Sequence, residues 1–295
     1  MSEERKTIYL CLAHMSEAGL EQKYVKEAFD TNWVVPMGPN VNAFEKDLEA
    51  FANSKEDGTE PLDRKVVCLS AGTAAVHLAL IGCGVKAGDE VLVQSFTFCA
   101  SSHPVTYLGA KPVFVGSERD TWNMDPVLLE KAIIDRKEKT GKLPKAIVPV
   151  ALYGMPYRID EIMAIADKYG IPVVEDAAEG MGSRFGGQVL GTFGKYGVLS
   201  FNGNKMITTS GGGALICRSA EDANEVMWYA TQARDAVSLP PLPAHGHRLQ
   251  LPHVEHLRRY RPRTDDGAQR SHCPPQARAG LVRRATERRA RCAHS

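Results

Sequence analysis

The chain has 295 residues, of which 43% are hydrophobic, and a formal net charge of +1. This length and apolar content are sufficient for the core of one large domain or two modest ones. No apolar run approaches the twenty residues of a membrane helix, and the N-terminal Met-Ser-Glu-Glu-Arg-Lys is too polar for a signal peptide, so a soluble, cytoplasmic protein is expected. The seven cysteines have no CxxC spacing and are interpreted as reduced, mostly buried thiols.

Charge is distributed unevenly along the chain. Residues 236–295 contain twelve arginines, no lysine and four acidic residues, a formal charge of +8, which leaves −7 for residues 1–235. A basic segment of this kind is typical of a nucleic-acid-binding arm. Its six histidines lack the spacing of metal ligands, and it has almost no aromatic residues for base stacking. Metal and nucleic acid are therefore both disfavoured as partners.

From residue 66 onward short apolar strands alternate with helices, and two further helices precede this region. The predicted helices cover residues 16–29, 42–52, 74–81, 100–108, 125–136 and 160–169. The predicted strands cover residues 66–69, 90–94, 112–115, 146–152, 172–175 and 196–201. This pattern indicates an α/β fold, with a mostly parallel sheet covered by helices on both faces. Ligands are then expected at the carboxyl ends of the strands.

The segment 70–75, Ser-Ala-Gly-Thr-Ala-Ala, joins a predicted strand to a predicted helix. Small residues allow the backbone to approach an anion, and a helix N-terminus offers free N–H groups and a favourable dipole. Thr73 adds a hydroxyl donor. The same segment also fits a tight turn that only caps the helix, so both interpretations stay open for the motif alone.

Three further residues indicate chemistry at strand ends. Asp176 ends a buried strand, where a protonated ring nitrogen would pair with the carboxylate, although a helix N-cap explains it equally well. Phe98, in Ser-Phe-Thr-Phe at 95–98, offers an aromatic face to a flat ring or packs in the core. Lys205 ends the segment 200–205, Ser-Phe-Asn-Gly-Asn-Lys, and a lone loop lysine is usually a solvated charge. An amine and a strand-end carboxylate beside phosphate-sized loops are what pyridoxal phosphate chemistry requires, as Schiff-base lysine and partner of the ring nitrogen.

Together these motifs resemble the DegT/DnrJ/EryC1/StrS family of sugar aminotransferases, which are fold-type I pyridoxal phosphate enzymes. The resemblance runs from about residue 33 to residue 235, through the segments 84–90, 95–98, 110–114, 152–154, 175–178, 191–194, 200–205 and 208–213. It implies a cofactor-binding large domain over residues 1–235 and a homodimer of the intact enzyme. It also implies transamination of a nucleotide-linked 4-keto sugar, with glutamate as amino donor, in amino-sugar, polysaccharide or glycan biosynthesis.

The resemblance implies a role for each matching residue. Lys205 corresponds to the Schiff-base lysine, which also moves the proton between the donor's Cα and the cofactor's C4′; relatives that dehydrate their substrate have histidine there. Asp176 would bind the pyridinium nitrogen, and Phe98 would lie against the ring. Gly72, Thr73 and Ser200 would hold the phosphate, and Glu179 and Asn202 would lie near the ring or the substrate.

The resemblance ends within a few residues of 231–235. The family continues with a segment of the form Gly-Tyr-Asn-Tyr-Arg-x-Ser-Asn and a small C-terminal domain, whereas residues 236–295 contain no Lys, Ile, Phe, Met, Trp or Asn. Permitted codons for residues 245–257, read from the second base, encode Thr-Asp-Ile-Gly-Tyr-Asn-Tyr-Arg-Met-Ser-Asn-Ile. A frameshift near residue 236 explains this match, and an intact reading frame in the organism's own DNA would contradict it.

A frameshift implies that the tail, 236–295, is poorly ordered, because it lacks binary patterning. It also implies that the small domain is missing. In this family that domain contains residues that close the substrate pocket and reach a neighbouring subunit's phosphate site. Their loss predicts an inactive or unstable polypeptide. The competing interpretation is a non-catalytic protein whose basic tail binds nucleic acid. A salt-sensitive gel shift that disappears on deletion of the tail would support that alternative.

Overall fold

The structure, a computed structural model, describes residues 16–233. The predictions for the tail, 236–295, lie outside the described residues. The helices are α1 (Leu20–Asp30), α2 (Pro39–Asn53), α3 (Gly72–Gly82), α4 (His103–Tyr107), α5 (Pro126–Thr140), α6 (Ile159–Tyr169) and α7 (Ala220–Ala230). The strands are β1 (Lys65–Leu69), β2 (Glu90–Gln94), β3 (Lys111–Val115), β4 (Ala146–Val148), β5 (Val174–Asp176), β6 (Arg184–Phe185), β7 (Gln188–Val189), β8 (Tyr196–Ser200) and β9 (Gly213–Cys217).

Seven of these strands lie side by side in one spatial order. Strands β3, β2 and β4 pair in parallel, and β1, β9, β8 and β5 form a second group in that order. Parallel bridges from Ile147 to Val173 and from Val150 to Asp176 connect β4 to β5, which gives the order β3-β2-β4-β5-β8-β9-β1. Only β9 runs antiparallel to its neighbours among these described strands. The predicted α/β class with a mostly parallel sheet is confirmed.

The strands bury both faces because successive side chains point to opposite sides. In β2, Leu92 packs in the cluster that includes residues of α2, α5 and α6. Its neighbours Val91 and Val93 pack in the other cluster, with residues of α3, α4 and α7. Cys83 and Cys217 belong to this second cluster, and burial raises the pKa of each thiol to about 12. Each face of the sheet is therefore covered by three helices.

Several elements differ from the sequence prediction. The predicted strand 146–152 is regular only over its first three residues. The predicted helix 100–108 is a 3-10 turn, Cys99–Ser101, followed by the short α4, because Pro104 lacks a backbone N–H and so occupies the first turn of a helix. The prediction omits the small hairpin β6–β7, the antiparallel β9 and α7, since the alternation of strand and helix on which it depends stops after β5.

Helix α1 has the apolar spacing that the sequence predicts, but none of its residues is buried among those described. Its side chains Leu20, Tyr24, Val25 and Phe29 are 47–66% exposed. Within residues 16–233, none of the helices combines the length and the apolar character that crossing a bilayer demands.

Candidate active site

The N-terminus of α3 lies against the ends of β8 and β9. Gly72 is the first residue of the helix, and among the described residues no side chain caps this end. A Cβ on Gly72 would lie 3.1 Å from Cβ of Ser200. A Cβ on Gly213 would lie 2.4 Å from the backbone N of Gly72. These glycines allow the backbones to meet, so the N–H groups of the first turn and the Ser200 hydroxyl border the same space.

Asp176 is the last residue of β5, and only 6% of its surface is exposed. Its Oδ2 accepts a hydrogen bond of 2.5 Å from the Ser101 hydroxyl, and its Oδ1 accepts one of 3.2 Å from the Ala178 N–H. Burial raises the pKa of the Asp176 carboxyl, and these two hydrogen bonds and the charge of Lys205 oppose that rise. A carboxylate held in this way favours a cationic partner.

The neighbouring Glu175 points to the other face of the sheet and fixes the end of β5. Its Oε1 accepts hydrogen bonds of 2.6 Å from the N–H groups of Phe193 and Gly194, and its Oε2 accepts one of 3.1 Å from Gly191. Burial raises the pKa of the Glu175 carboxyl, against the effect of these three donors. The turn before β8 is therefore attached to the strand that carries Asp176.

Lys205 lies in a turn after β8, where its Nζ is 3.2 Å from Oε1 of Glu179. The other oxygen of Glu179 accepts a hydrogen bond of 2.8 Å from the backbone N–H of Tyr153. Tyr153 has a left-handed conformation, φ 51°, which is strained for an aromatic residue. The lysine amine is thus positioned through a carboxylate that is itself held by a strained backbone.

Two buried side-chain amides, those of Gln94 and Asn123, accept hydrogen bonds from the backbone around Tyr153. The Gln94 Oε1 accepts hydrogen bonds from the N–H groups of Met124 and Val150, at 2.8 and 3.2 Å. The Asn123 Oδ1 accepts from the Leu152 N–H at 3.2 Å, next to Tyr153. Neither amide was predicted from the sequence. The signal that could have identified Gln94 is its position as a polar residue at the end of an apolar strand.

The eight residues predicted from the sequence line one cavity of about 500 Å³. They are Gly72, Thr73, Phe98, Asp176, Glu179, Ser200, Asn202 and Lys205. Phe98 is at the rim and 74% exposed, so its ring is available to a ligand and does not pack in the core. Helix capping as the alternative for residues 70–75 is weakened, because the N-terminus of α3 opens onto this cavity.

The arrangement favours a small planar ligand with opposite charges at its two ends. The N-terminus of α3 and the Ser200 hydroxyl suit an anionic group. The Asp176 carboxylate suits a protonated ring nitrogen, and the Lys205 amine suits an electrophilic carbon. The cavity volume lies in the range of small-molecule sites. Among residues 16–233 no cluster of His, Cys, Asp and Glu has the composition of a metal site.

A sheet of this order, with an amine and a buried carboxylate at the carboxyl ends of its strands, defines the large domain of the fold-type I pyridoxal phosphate enzymes. Residues 16–238 match the DegT/DnrJ/EryC1/StrS aminotransferase family, and the chain belongs to this family.

The chain is similar to several characterised or named relatives. It is 45% identical over 249 residues to EpsN of Bacillus subtilis, a provisionally assigned pyridoxal phosphate-dependent aminotransferase, covering 84% of this chain and 61% of EpsN. It is 36% identical to the GDP-perosamine synthase of Escherichia coli O157:H7, covering 70% of this chain and 53% of that protein. Among solved structures, DesI crystallised with its TDP-sugar product superposes with a TM-score of 0.62 at 28% identity, covering 73% of this chain and 50% of DesI. The chain thus spans about half to three fifths of the length of the curated relatives it matches.

Proposed function

We propose that this chain is the cofactor-binding part of a pyridoxal phosphate-dependent aminotransferase. The observation that carries the proposal is that the Lys205 amine, the buried Asp176 carboxylate and the open N-terminus of α3 line the same cavity. Family membership and the name of EpsN support the same cofactor and reaction class.

The residues present fit this cofactor. Gly72, Thr73 and Ser200 would hold its phosphate, since they border the N-terminus of α3. Asp176 would pair with its ring nitrogen and keep that nitrogen protonated, while Phe98 would lie against the ring. Glu179 and Asn202 would lie at the edge of the ring and toward the substrate.

Lys205 would carry out the proton transfers. When bound, pyridoxal phosphate supplies an electron sink for the electron pair left by the broken Cα–H bond of the amino donor. The Lys205 amine would take that proton from Cα and deliver it at C4′ of the cofactor. Glu179 would direct the amine, since its carboxylate lies 3.2 Å from Nζ.

We further propose a nucleotide-linked 4-keto sugar as the amino acceptor and glutamate as the donor, in an intact homodimer. The nucleotide-linked sugar is supported by relatives: a GDP-perosamine synthase, and DesI with a TDP-sugar product. Phe98 and Tyr153 line the cavity, and Met206 and Ile207 directly follow Lys205 in the chain. These large apolar side chains are exposed, which supports a subunit contact there.

The test is a transamination assay with protein from the frame-corrected gene, because the proposal assigns this chain only part of the enzyme. Conversion of glutamate to 2-oxoglutarate beyond one equivalent per active site should require a GDP- or TDP-linked 4-keto sugar, and a free keto sugar should not replace it. Lys205→Ala should lose this activity. Lys131→Ala, which changes an exposed lysine on α5, should keep it.

Two results would contradict the proposal. Full activity of Lys205→Ala would remove the lysine from the mechanism. Conversion of more than one equivalent of glutamate per active site without any sugar acceptor, or equally well with free sugar, would remove the nucleotide-linked substrate.

A further inference from the structure

Behind Asp176 lies a chain of two hydroxyl groups. The Ser101 hydroxyl is 2.5 Å from Asp176 Oδ2, and the Thr97 hydroxyl is 2.8 Å from the Ser101 hydroxyl. Ser101 is fully buried, in the 3-10 turn Cys99–Ser101 that follows β2. Thr97 also lines the cavity. Ser101 has none of the roles that the family resemblance implies.

The directions of these hydrogen bonds are fixed by chemistry. An ionised carboxylate only accepts, so the single hydroxyl proton of Ser101 is donated to Asp176. Thr97 must then donate its own proton to the Ser101 oxygen. A hydroxyl that accepts one hydrogen bond becomes a better donor in the next, so Thr97 strengthens the bond to the carboxylate.

We infer that Ser101 is a positioning residue for Asp176, assisted by Thr97, and that these hydroxyls hold the carboxylate ionised and oriented toward the ring nitrogen of the cofactor. This inference rests on the proposed function. In this role Ser101, in the short turn after β2, acts on the cofactor through Asp176 and not by direct contact.

The electrostatics around Asp176 agree with this role. Burial favours the neutral acid, and Ser101 makes the largest opposing contribution. The other charged groups that face Asp176 are Lys205, which lowers its pKa, and Glu179, which raises it. The effects of these two charges on the pKa of Asp176 have opposite signs. The hydrogen bond from Ser101 is therefore the main interaction that keeps the carboxylate ionised.

The test measures pyridoxal phosphate affinity against pH in protein from the frame-corrected gene. All variants are made in a Lys205→Ala background, so that binding is noncovalent. Ser101→Ala should weaken binding roughly ten-fold, the usual effect of losing a hydrogen bond to a charged group. The pH at which binding falls on acidification should move upward, because the carboxyl then protonates at higher pH.

Three further variants separate positioning from simple loss of structure. Ser101→Thr keeps the hydroxyl and should restore both affinity and the pH profile. Thr97→Val should weaken binding roughly three-fold, the effect of one neutral hydrogen bond. Ser102→Ala is the matched control: its hydroxyl donates only to the Cys99 carbonyl at 3.2 Å, so neither readout should move.

The outcomes distinguish this inference from the proposed function. If borohydride traps no cofactor on Lys205 in the parent chain, the proposed function fails and the inference fails with it. If the adduct forms in the parent but Ser101→Ala and Thr97→Val bind as the background does at every pH, the inference alone is wrong. An equal loss with Ser102→Ala would also overturn it, because the effect would then belong to the turn as a whole.

Discussion

At the scale of single residues, the site combines groups that are unfavourable for the fold alone. Asp176 is a buried carboxylate whose pKa is raised by burial. Tyr153 is an aromatic residue with a positive φ angle. Both features cost stability, and both lie where the proposed chemistry needs a fixed charge or a fixed N–H donor.

Asp176→Asn should separate stability from function. A carboxyl with a raised pKa in the folded state stabilises the fold below its unfolded pKa, and this contribution is lost as the pH rises through the raised pKa. At neutral pH without cofactor, the variant should therefore have a higher Tm than the parent. Cofactor binding should be roughly ten-fold weaker, because the charge-assisted bond to the ring nitrogen is lost. Turnover of the intact enzyme should fall as well, since a neutral ring nitrogen is a worse electron sink.

Thermal melts from pH 4 to 8 and a cofactor titration check this prediction. The exposed Asp167→Asn on α6 is the control and should change neither quantity. A lower Tm for Asp176→Asn at neutral pH, or unchanged cofactor affinity, would contradict the account of this carboxylate.

At the scale of elements, the anion site depends on the contact between β9 and α3. Gly213→Ala should destabilise the fold by about 1–3 kcal/mol, the usual cost of overpacking, because the new Cβ would lie 2.4 Å from backbone atoms of Ala71 and Gly72. The N-terminus of α3 must then move, so the affinity for inorganic phosphate and for pyridoxal phosphate should fall together.

Gly211→Ala is the matched control for stability, because its Cβ would meet nothing within 4 Å and the residue does not have a positive φ. Chemical denaturation should show that only the Gly213 variant loses stability. Equal stability of the two variants would mean that β9 and α3 are not in such close contact.

At the scale of the whole molecule, the sequence predicts the features that depend on local pattern. The apolar strands identify the α/β class, and strand ends identify Asp176 and the segment at Gly72 and Thr73. The segments after the strands also single out Phe98 and Lys205, and the resemblance adds Glu179, Ser200 and Asn202. All of these residues line the cavity, and their chemical roles stay predictions.

The features that the sequence did not predict depend on contacts between distant segments. Ser101 and Asp176 are 75 residues apart, and Gln94 and Asn123 are 29 apart. No local periodicity indicates such pairs, and the antiparallel β9 breaks the alternation on which strand prediction depends. The predicted frameshift near residue 236 lies outside the described residues, and the family match ends close by, at residue 238.

Lys205 is the residue to which we expect pyridoxal phosphate to attach. The most direct measurement mixes protein from the frame-corrected gene with pyridoxal phosphate, reduces it with borohydride and locates the adduct by peptide mass spectrometry. The account predicts a visible absorption band before reduction and a single modified lysine, Lys205, with no adduct in Lys205→Ala and an unchanged adduct in Lys131→Ala. An adduct on another lysine, or none on Lys205, would contradict it.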